Sequence, residues 1–246
     1  MINGFLAIYL REMLILKLRF FKTILASIIS PVLFLLAFGF GIGKNTHING
    51  TDYLSFLLPG LLTMSSLNQA YGISSEINIS RFYFKIFDEY LLAPVGRWQI
   101  VAGEALYGIT KGLISAIIVI AIALAVKVKL YISPIFILIL FIHLIIFSLL
   151  GLIAALLVKN HGDQFAINTF IITPMVFLSG TFYPVDSMHF FIKWVVHLFP
   201  LTYTTALLRD ALLYDTLHSI LYLIISLIIL LALFIIALFV IKRVEV

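Results

Sequence analysis

Four ionisable side chains lie inside or beside long apolar stretches of this chain: Glu76, Glu104, Lys111 and His143. Ionisable groups are costly in lipid, so they mark transport paths, proton relays or buried partnerships. Lys111 follows Glu104 by seven residues on one helical face, too far apart to pair within the helix, and either is placed to meet Glu76. The alternative for Lys111 is a side chain that reaches back to the inner headgroups.

His143 lies near the middle of an apolar stretch with no acid nearby in sequence. That setting favours a hydrogen bond between helices over a proton relay. The chain has six scattered histidines and no cysteine. It contains no H-E-x-x-H or similar spacing, so we predict no metal site. Because no hydrolase triad can be assembled from these residues, we expect no enzyme activity within this chain.

The glycine-rich run at 39–45 comes nearest to a nucleotide-binding motif. A P-loop requires Gly at position 38 and Ser or Thr at position 45, where this chain has Phe38 and Asn45. Gly39 and Gly43 instead form a GxxxG pair, which predicts close packing against another helix. We expect this face to be the seam of a homodimer, because one subunit is small for a large lipophilic cargo.

Composition sets the class of protein that must position these residues. Of 246 residues, 63% are hydrophobic and 11% charged, and the mean hydropathy is +1.19. A water-soluble fold could not cover so much apolar surface, which excludes a soluble enzyme and a disordered chain. The net charge of +5 is interpreted through membrane topology, and we expect no nucleic-acid partner.

Six stretches are candidates to cross a bilayer core, which requires about 20 apolar residues per helix. They are 23–43, 53–75, 105–126, 134–158, 165–180 and 219–241. The fifth is short and contains Pro174, whereas the sixth is the least ambiguous and stops at Lys242. The pattern therefore predicts an all-α integral membrane protein with six transmembrane helices.

The basic residues predict the orientation of the chain. With a cytoplasmic N-terminus, ten of them lie inside and five outside, the latter being Lys44, Lys127, Lys129, Lys193 and Arg209. This excess follows the positive-inside rule, although Lys127 and Lys129 run against it. We expect a multi-pass protein of the plasma (cytoplasmic or inner) membrane with both termini in the cytoplasm.

Three non-spanning segments have helical patterns. Residues 1–22 predict an amphipathic interfacial helix on the inner leaflet, with a simple basic anchor as the alternative. Residues 80–92 predict a second amphipathic helix, begun by Ser80 and stopped by Pro94, that rests on lipid or docks with a partner protein. The aromatic segment 181–213 is divided by Pro184 and Pro200, and predicts two short helices that re-enter the outer leaflet.

Four short motifs, in their order and spacing, resemble the ABC-2 type permeases, the membrane subunits of ATP-binding-cassette exporters. They are YLSFLLPGLL at 53–62, DEYLLAPVGRWQIVAGEAL at 88–106, FLSGTFYPVD at 177–186 and PLTYTTALLRDAL at 200–212. With the N-terminal helix, the resemblance covers nearly the whole chain, 1–246, as a single transmembrane domain. Members of this family export polysaccharides, lipo-oligosaccharides or hydrophobic drugs.

The resemblance implies a subunit that pairs with a second copy of itself around a translocation path and binds two copies of a separate ATPase. ATP and magnesium would then bind the ATPase, and this chain would hold no cofactor. Helix 80–92 would be the coupling helix, and 181–213 would cap the path. The residues this assigns to ATPase coupling are Arg81, Phe82, Lys85, Phe87, Asp88, Glu89, Leu91 and Pro94.

The alternative is a gradient-driven carrier or channel that works without an ATPase, with Lys111 and His143 as ion-linked residues. It predicts networks of charge in the membrane and gives helix 80–92 no role. Glycan or glycolipid export and drug export both stay open as the task of the permease.

Overall fold

The computed structural model describes residues 3–43, 46–48, 50–217 and 219–243. It is 82% helical, which confirms the all-α class. The one sheet in these ranges is a short hairpin of β1 (His47–Ile48) and β2 (Thr51–Asp52), with His47 opposite Asp52.

The first helix, α1 (Asn3–Phe34), continues as a π-helical segment, Leu35–Ile42. The expected boundary between an interfacial helix 1–22 and a first span at 23 is therefore wrong, because no proline or glycine interrupts the chain between Gly4 and Pro31. At 1.5 Å per residue the 38-residue stretch Gly4–Gly41 is roughly 57 Å long, well beyond a bilayer core of about 30 Å.

The orientation of α1 also differs from the expectation that its charged face lies on headgroups. Glu12 is buried against the rest of the protein, whereas Leu14 and Leu18 are 64% and 88% exposed. The side chains of Arg11 and Glu12 face inward because both form hydrogen bonds with Tyr90 of the segment 86–92.

Helix α2 (Tyr53–Tyr71) lies at the centre of the molecule and packs against α1, α5, α6 and α10. Fifteen of its 19 residues are buried. Because neighbouring helices shield it, it can carry Ser65 and Ser66 without exposing either to lipid. After Gly72 it continues as α3 (Ile73–Phe82), which packs against α6.

The predicted single helix 80–92 is wrong. Ser80 lies inside α3 and does not begin a helix, and Lys85 adopts a left-handed conformation with φ of 53°. That residue separates α3 from α4 (Ile86–Leu92), since a left-handed residue cannot continue a right-handed helix. The predicted stop is correct, because α4 ends two residues before Pro94.

Three long helices complete the bundle: α5 (Arg97–Ala125), α6 (Pro134–Leu157) and α11 (Ile220–Arg243). Helix α5 begins eight residues before the predicted third span, directly after Gly96, so the segment that follows α4 leads straight into it. Helix α6 starts at Pro134 behind the cap of Ser133, whose side chain accepts a hydrogen bond from the Phe136 amide. Both α6 and α11 match the predicted fourth and sixth spans closely.

The fifth predicted span is composite. It consists of α7 (His161–Ile167), a π-helical segment Asn168–Ile172, and α8 (Thr173–Leu178). The following segment contains a short 3-10 turn, α9 (Phe190–Val196) and α10 (Pro200–Tyr214). The two short helices predicted for 181–213 are present and meet at an angle of 91°.

Four helical stretches in the described ranges are long and apolar enough to cross a membrane: Gly4–Gly41, Arg97–Ala125, Pro134–Leu157 and Ile220–Arg243. The bent pair of α9 and α10 raises the number to five if it counts as one span. Neither α2 nor the composite α7–α8 segment is among them. The protein is thus an all-α membrane protein with several apolar helices.

Candidate functional site

Lys111, on α5, is buried and forms an ion pair with Glu76 on α3. Its Nζ donates to Oε1 of Glu76 at 2.8 Å. The hydroxyl of Tyr107 donates to Oε2 of the same carboxylate at 2.7 Å. The sequence placed Glu76 within reach of Lys111, and the structure confirms that pairing. Lys111 is held by Glu76, so the alternative of a side chain reaching the headgroups is wrong.

A second charged group lies next to this pair and joins α1 to α4. Arg11 contacts the carboxylate of its neighbour Glu12 and donates to the Tyr90 hydroxyl at 2.8 Å. Tyr90 in turn donates to Glu12 at 3.2 Å. Burial, followed by the nearby carboxylates Glu104 and Glu12, raises the pKa of Tyr90, so its hydroxyl stays protonated as a donor.

Glu104, also on α5, is 2% exposed and lies within electrostatic range of Glu12, Arg11 and Glu76. Its Oε2 atom has no hydrogen-bond partner among the described residues. Glu104 borders a cavity of about 280 Å³ together with Glu12 and Glu76. The structure therefore brings together Glu76, Glu104 and Lys111, three of the four ionisable candidates from the sequence.

His143 is fully buried on α6 and lies apart from this cluster. Its Nε2 is 3.1 Å from the Ser66 hydroxyl on α2, and its Nδ1 is 3.0 Å from the Thr204 hydroxyl on α10. Both ring nitrogens thus have hydroxyl partners, which confirms the prediction of a histidine bonded between helices.

The candidate coupling residues divide between the interior and the surface. Phe87 is 1% exposed and belongs to an apolar cluster with residues of α1, α3 and α5. Its assignment as a contact to an ATPase is therefore wrong, because the side chain fills this chain's own core. Lys85, Glu89 and Pro94 are exposed.

Two further residues predicted to couple to an ATPase, Arg81 and Phe82, lie on α3. Arg81 donates to the Ala155 carbonyl on α6 and lies over the ring of Phe82, which is 38% exposed. The side chains of Asp88 and Leu91 lie outside the described part of the structure.

Gly39 and Gly43 pack closely against a helix of the same chain. A β-carbon on Gly39 would lie 2.8 Å from Leu54, and one on Gly43 would lie 2.1 Å from Tyr53. Close helix packing at the GxxxG is therefore correct, but its assignment to a dimer seam is wrong. The start of α2 already occupies the space that a second copy would need.

Comparison with known proteins agrees with this architecture. The family described as ABC-2 type transporter matches residues 3–213. The chain belongs to this family. The inner membrane transport permease YadH of Escherichia coli strain K12 is 31% identical over 185 residues, which cover 74% of this chain and 72% of that protein. Nodulation protein J of Rhizobium leguminosarum bv. viciae is 25% identical over 220 residues, covering 85% and 82%.

Membership of the ABC-2 type transporter family makes the chain a multi-pass transmembrane permease component of a transporter. Three of the four motifs that suggested the family converge in space. Arg209 on α10 donates from Nη2 to the Gly180 carbonyl at 2.7 Å, and its guanidinium lies 3.9 Å from the ring centre of Phe56. The Tyr53 hydroxyl donates to the Phe182 carbonyl at 3.0 Å.

Sequence reasoning missed this junction of the ABC-2 permease. It counted Arg209 only as one of the outer basic residues. The available signal was an arginine amid the apolar residues of 200–212, where a partly buried guanidinium requires several acceptors.

A second missed group is a polar network between α2, α3 and α7. The Gln164 amide nitrogen lies 3.2 Å from both the Tyr71 and Ser74 hydroxyls and 3.1 Å from Oδ1 of Asn168. Nearby on α3, Asn78 is fully buried, and neither atom of its amide has a partner in the described ranges. The composite fifth segment is therefore fastened to the bundle by polar contacts, which the apolar pattern did not indicate.

Proposed function

We propose that this chain is the transmembrane subunit of an exporter that moves a lipophilic or glycan-linked substrate outward, driven by a separate ATPase. Membership of the ABC-2 type transporter family and the lack of a P-loop in the sequence support this proposal. ATP and magnesium would bind the ATPase, two copies of which would serve two copies of this chain. In this arrangement six segments cross the membrane, with α2 and α7–α8 as the less apolar two, and both termini lie in the cytoplasm.

The single observation that carries the proposal is that α4 is attached to the bundle by one side only. Its inward side holds Phe87 in the core and Tyr90 in hydrogen bonds to Arg11 and Glu12 of α1. Its other side presents exposed residues, among them Glu89 and Leu92, which is 73% exposed. A helix held at one face and free at the other can transmit a push from a partner to α1 and α5.

The proposed coupling surface therefore differs from the set of residues that the sequence suggested. We assign it to Glu89 and Leu92 on α4, to Lys85 directly before this helix and to Pro94 after it, all of which are exposed. The exposed charges align α4 on the ATPase more than they add to the binding affinity, because surface ion pairs contribute only about 0–1 kcal/mol each. The apolar contact at Leu92 supplies burial, worth about 1.5–3 kcal/mol for a fully buried leucine.

The experiment is copurification of the tagged chain with its ATPase from membranes, followed by measurement of ATP hydrolysis in the complex. We expect Leu92→Asp to reduce the amount of copurified ATPase. The charge exchange Lys85→Glu with Glu89→Lys should keep the complex and lower the hydrolysis rate. Asp186→Lys, a change on an exposed residue of the outer segment, is the matched control. Wild-type stoichiometry and rate in both α4 variants would show that α4 is not the coupling element.

The seam of the proposed homodimer lies away from Gly39 and Gly43. The exposed apolar residues of α1 offer a different face, with Leu10, Leu14 and Phe21 between 57% and 73% exposed. Cross-linking in membranes through single cysteines at these positions should give a dimer band. A band at none of them, with the chain still inserted, would place the seam elsewhere.

A further inference from the structure

The cavity beside Glu104 combines features of a binding site that neither the family nor the proposed coupling requires. It lies between α1, α3, α4 and α5 and has a volume of about 280 Å³, near the lower end of the roughly 300–1,000 Å³ usual for small-molecule pockets. Its charged lining consists of the carboxylates Glu12, Glu76 and Glu104 and the guanidinium groups of Arg11 and Arg19.

Two of the three carboxylates already have strong partners. Glu76 accepts from Lys111 and Tyr107, and Glu12 contacts Arg11 and accepts from Tyr90. Glu104 differs, because its Oε2 is buried and has no hydrogen-bond partner in the described ranges. A buried carboxylate oxygen without a donor is costly, so this atom is a vacant acceptor.

A second residue that lines the same cavity also carries a polar atom without a partner in the described ranges. The hydroxyl of Ser80, on α3, is buried and also lacks a partner among the described residues. Two unsatisfied atoms on different helices, both beside one cavity, point to a ligand that carries several hydrogen-bond donors. An ammonium group has three donors and no acceptor, which suits this pair.

The rest of the lining is apolar. Ile15 and Leu18 of α1, Phe84, and Ile86 of α4 border the cavity. This surface suits a short hydrocarbon or aromatic body behind the cationic group. A metal ion fits less well, since no three acidic or histidine side chains in the described ranges are placed to hold one. Of the two lining arginines, Arg11 is already engaged by Glu12 and Tyr90. Arg19 is exposed and repels cations, which favours a ligand whose charge lies at the Glu104 carboxylate.

We propose that this cavity binds a small amphiphilic amine, with its ammonium group at the Glu104 carboxylate and beside Ser80 and its apolar body against Ile15 and Phe84. The binding needs neither ATP nor an ATPase, so it stands apart from the proposed coupling role of α4.

The test is a direct binding assay with tritiated phenethylamine on the full chain in phosphatidylcholine nanodiscs at pH 7, with empty nanodiscs as the blank. We expect saturable binding that excess unlabelled phenethylamine displaces and that 2-phenylethanol, of similar shape but uncharged, does not. Glu104→Gln should raise the Kd about tenfold or more, because a hydrogen bond to a charged group is lost. Ser80→Ala should raise it by less than tenfold, and Asp186→Asn should leave it unchanged.

Three results would each overturn the proposal: no saturable binding by the unmodified chain, equal displacement by 2-phenylethanol, or an unchanged Kd in Glu104→Gln. Size-exclusion chromatography checks that each variant is folded. If Glu104→Gln does not fold, Ile86→Trp replaces it, since a larger side chain from α4 fills the cavity. That variant must abolish binding, and retained binding would equally overturn the proposal.

Discussion

Gly60 on α2 lies directly against the backbone of Thr181, which follows Gly180 in the turn after α8. A β-carbon at position 60 would be 2.0 Å from the Thr181 carbonyl oxygen and 2.8 Å from its carbonyl carbon. Because the obstacle is backbone and not a flexible side chain, only glycine allows this approach. The motif at 53–62 and the motif at 177–186 thus meet main chain to main chain.

We therefore expect Gly60→Ala to destabilise the protein, since overpacking costs about 1–3 kcal/mol and the backbone here has little room to yield. Thermal unfolding in detergent, followed by fluorescence, measures the loss. The matched control is Gly41→Ala, on a π-helical turn where an added β-carbon meets only the Leu36 carbonyl at 3.4 Å. That variant should unfold within a degree or two of the wild type. Equal midpoints for the two variants would contradict the close approach.

The ion pair of Lys111 and Glu76 yields a prediction about paired substitutions. Lys111→Met should lower the free energy of unfolding by about 1.5–3 kcal/mol, as for a lost hydrogen bond to a charged group. Adding Glu76→Gln should restore part of this, because no unpaired carboxylate then remains. Unfolding midpoints of the wild type, both single variants and the double variant form the cycle. If the two single effects simply add, the pair is not coupled.

Phe87 lies on the buried side of α4 and Leu92 on its exposed side, so variants at the two positions test the two sides separately. Phe87→Ala should cost about 3–5 kcal/mol, as expected for a phenylalanine deleted from a core. Leu92→Ala, at a side chain 73% exposed, should change the unfolding midpoint little. Both are measured on the chain without a partner. A small loss of stability in Phe87→Ala together with a large loss in Leu92→Ala would contradict this orientation of α4.

His143 should not control the pH dependence of transport. Its two ring nitrogens are bonded to Ser66 and Thr204, and no carboxylate contacts it within the described ranges. We expect His143→Asn to keep the pH profile of ATP hydrolysis in the complex and to lower only stability, by about 1–3 kcal/mol. Thr204→Val, which removes one partner, is the companion variant and should behave alike. A profile displaced along the pH axis in His143→Asn would revive the gradient-driven carrier.

The sequence by itself determined the class of this protein and much of its outline. Composition required a membrane protein, since 63% apolar residues cannot be covered by 11% charged ones. The apolar runs located α6 and α11 to within a residue or two, because each helix is almost wholly apolar along its length, α6 mostly buried and α11 mostly exposed. Pro94 marked the end of α4, because proline fixes its own backbone and cannot continue a helix.

Only the tertiary structure decided which faces of the helices meet. A helical wheel shows that Arg11 and Glu12 share an arc, but it does not show that Tyr90 draws that arc inward. The GxxxG at Gly39 predicted a close neighbour, yet the neighbour is α2 of the same chain. Phe87 has the same apolar pattern whether it faces a partner or its own core. Periodicity is a property of one helix, whereas burial depends on long-range contacts that a single sequence does not contain.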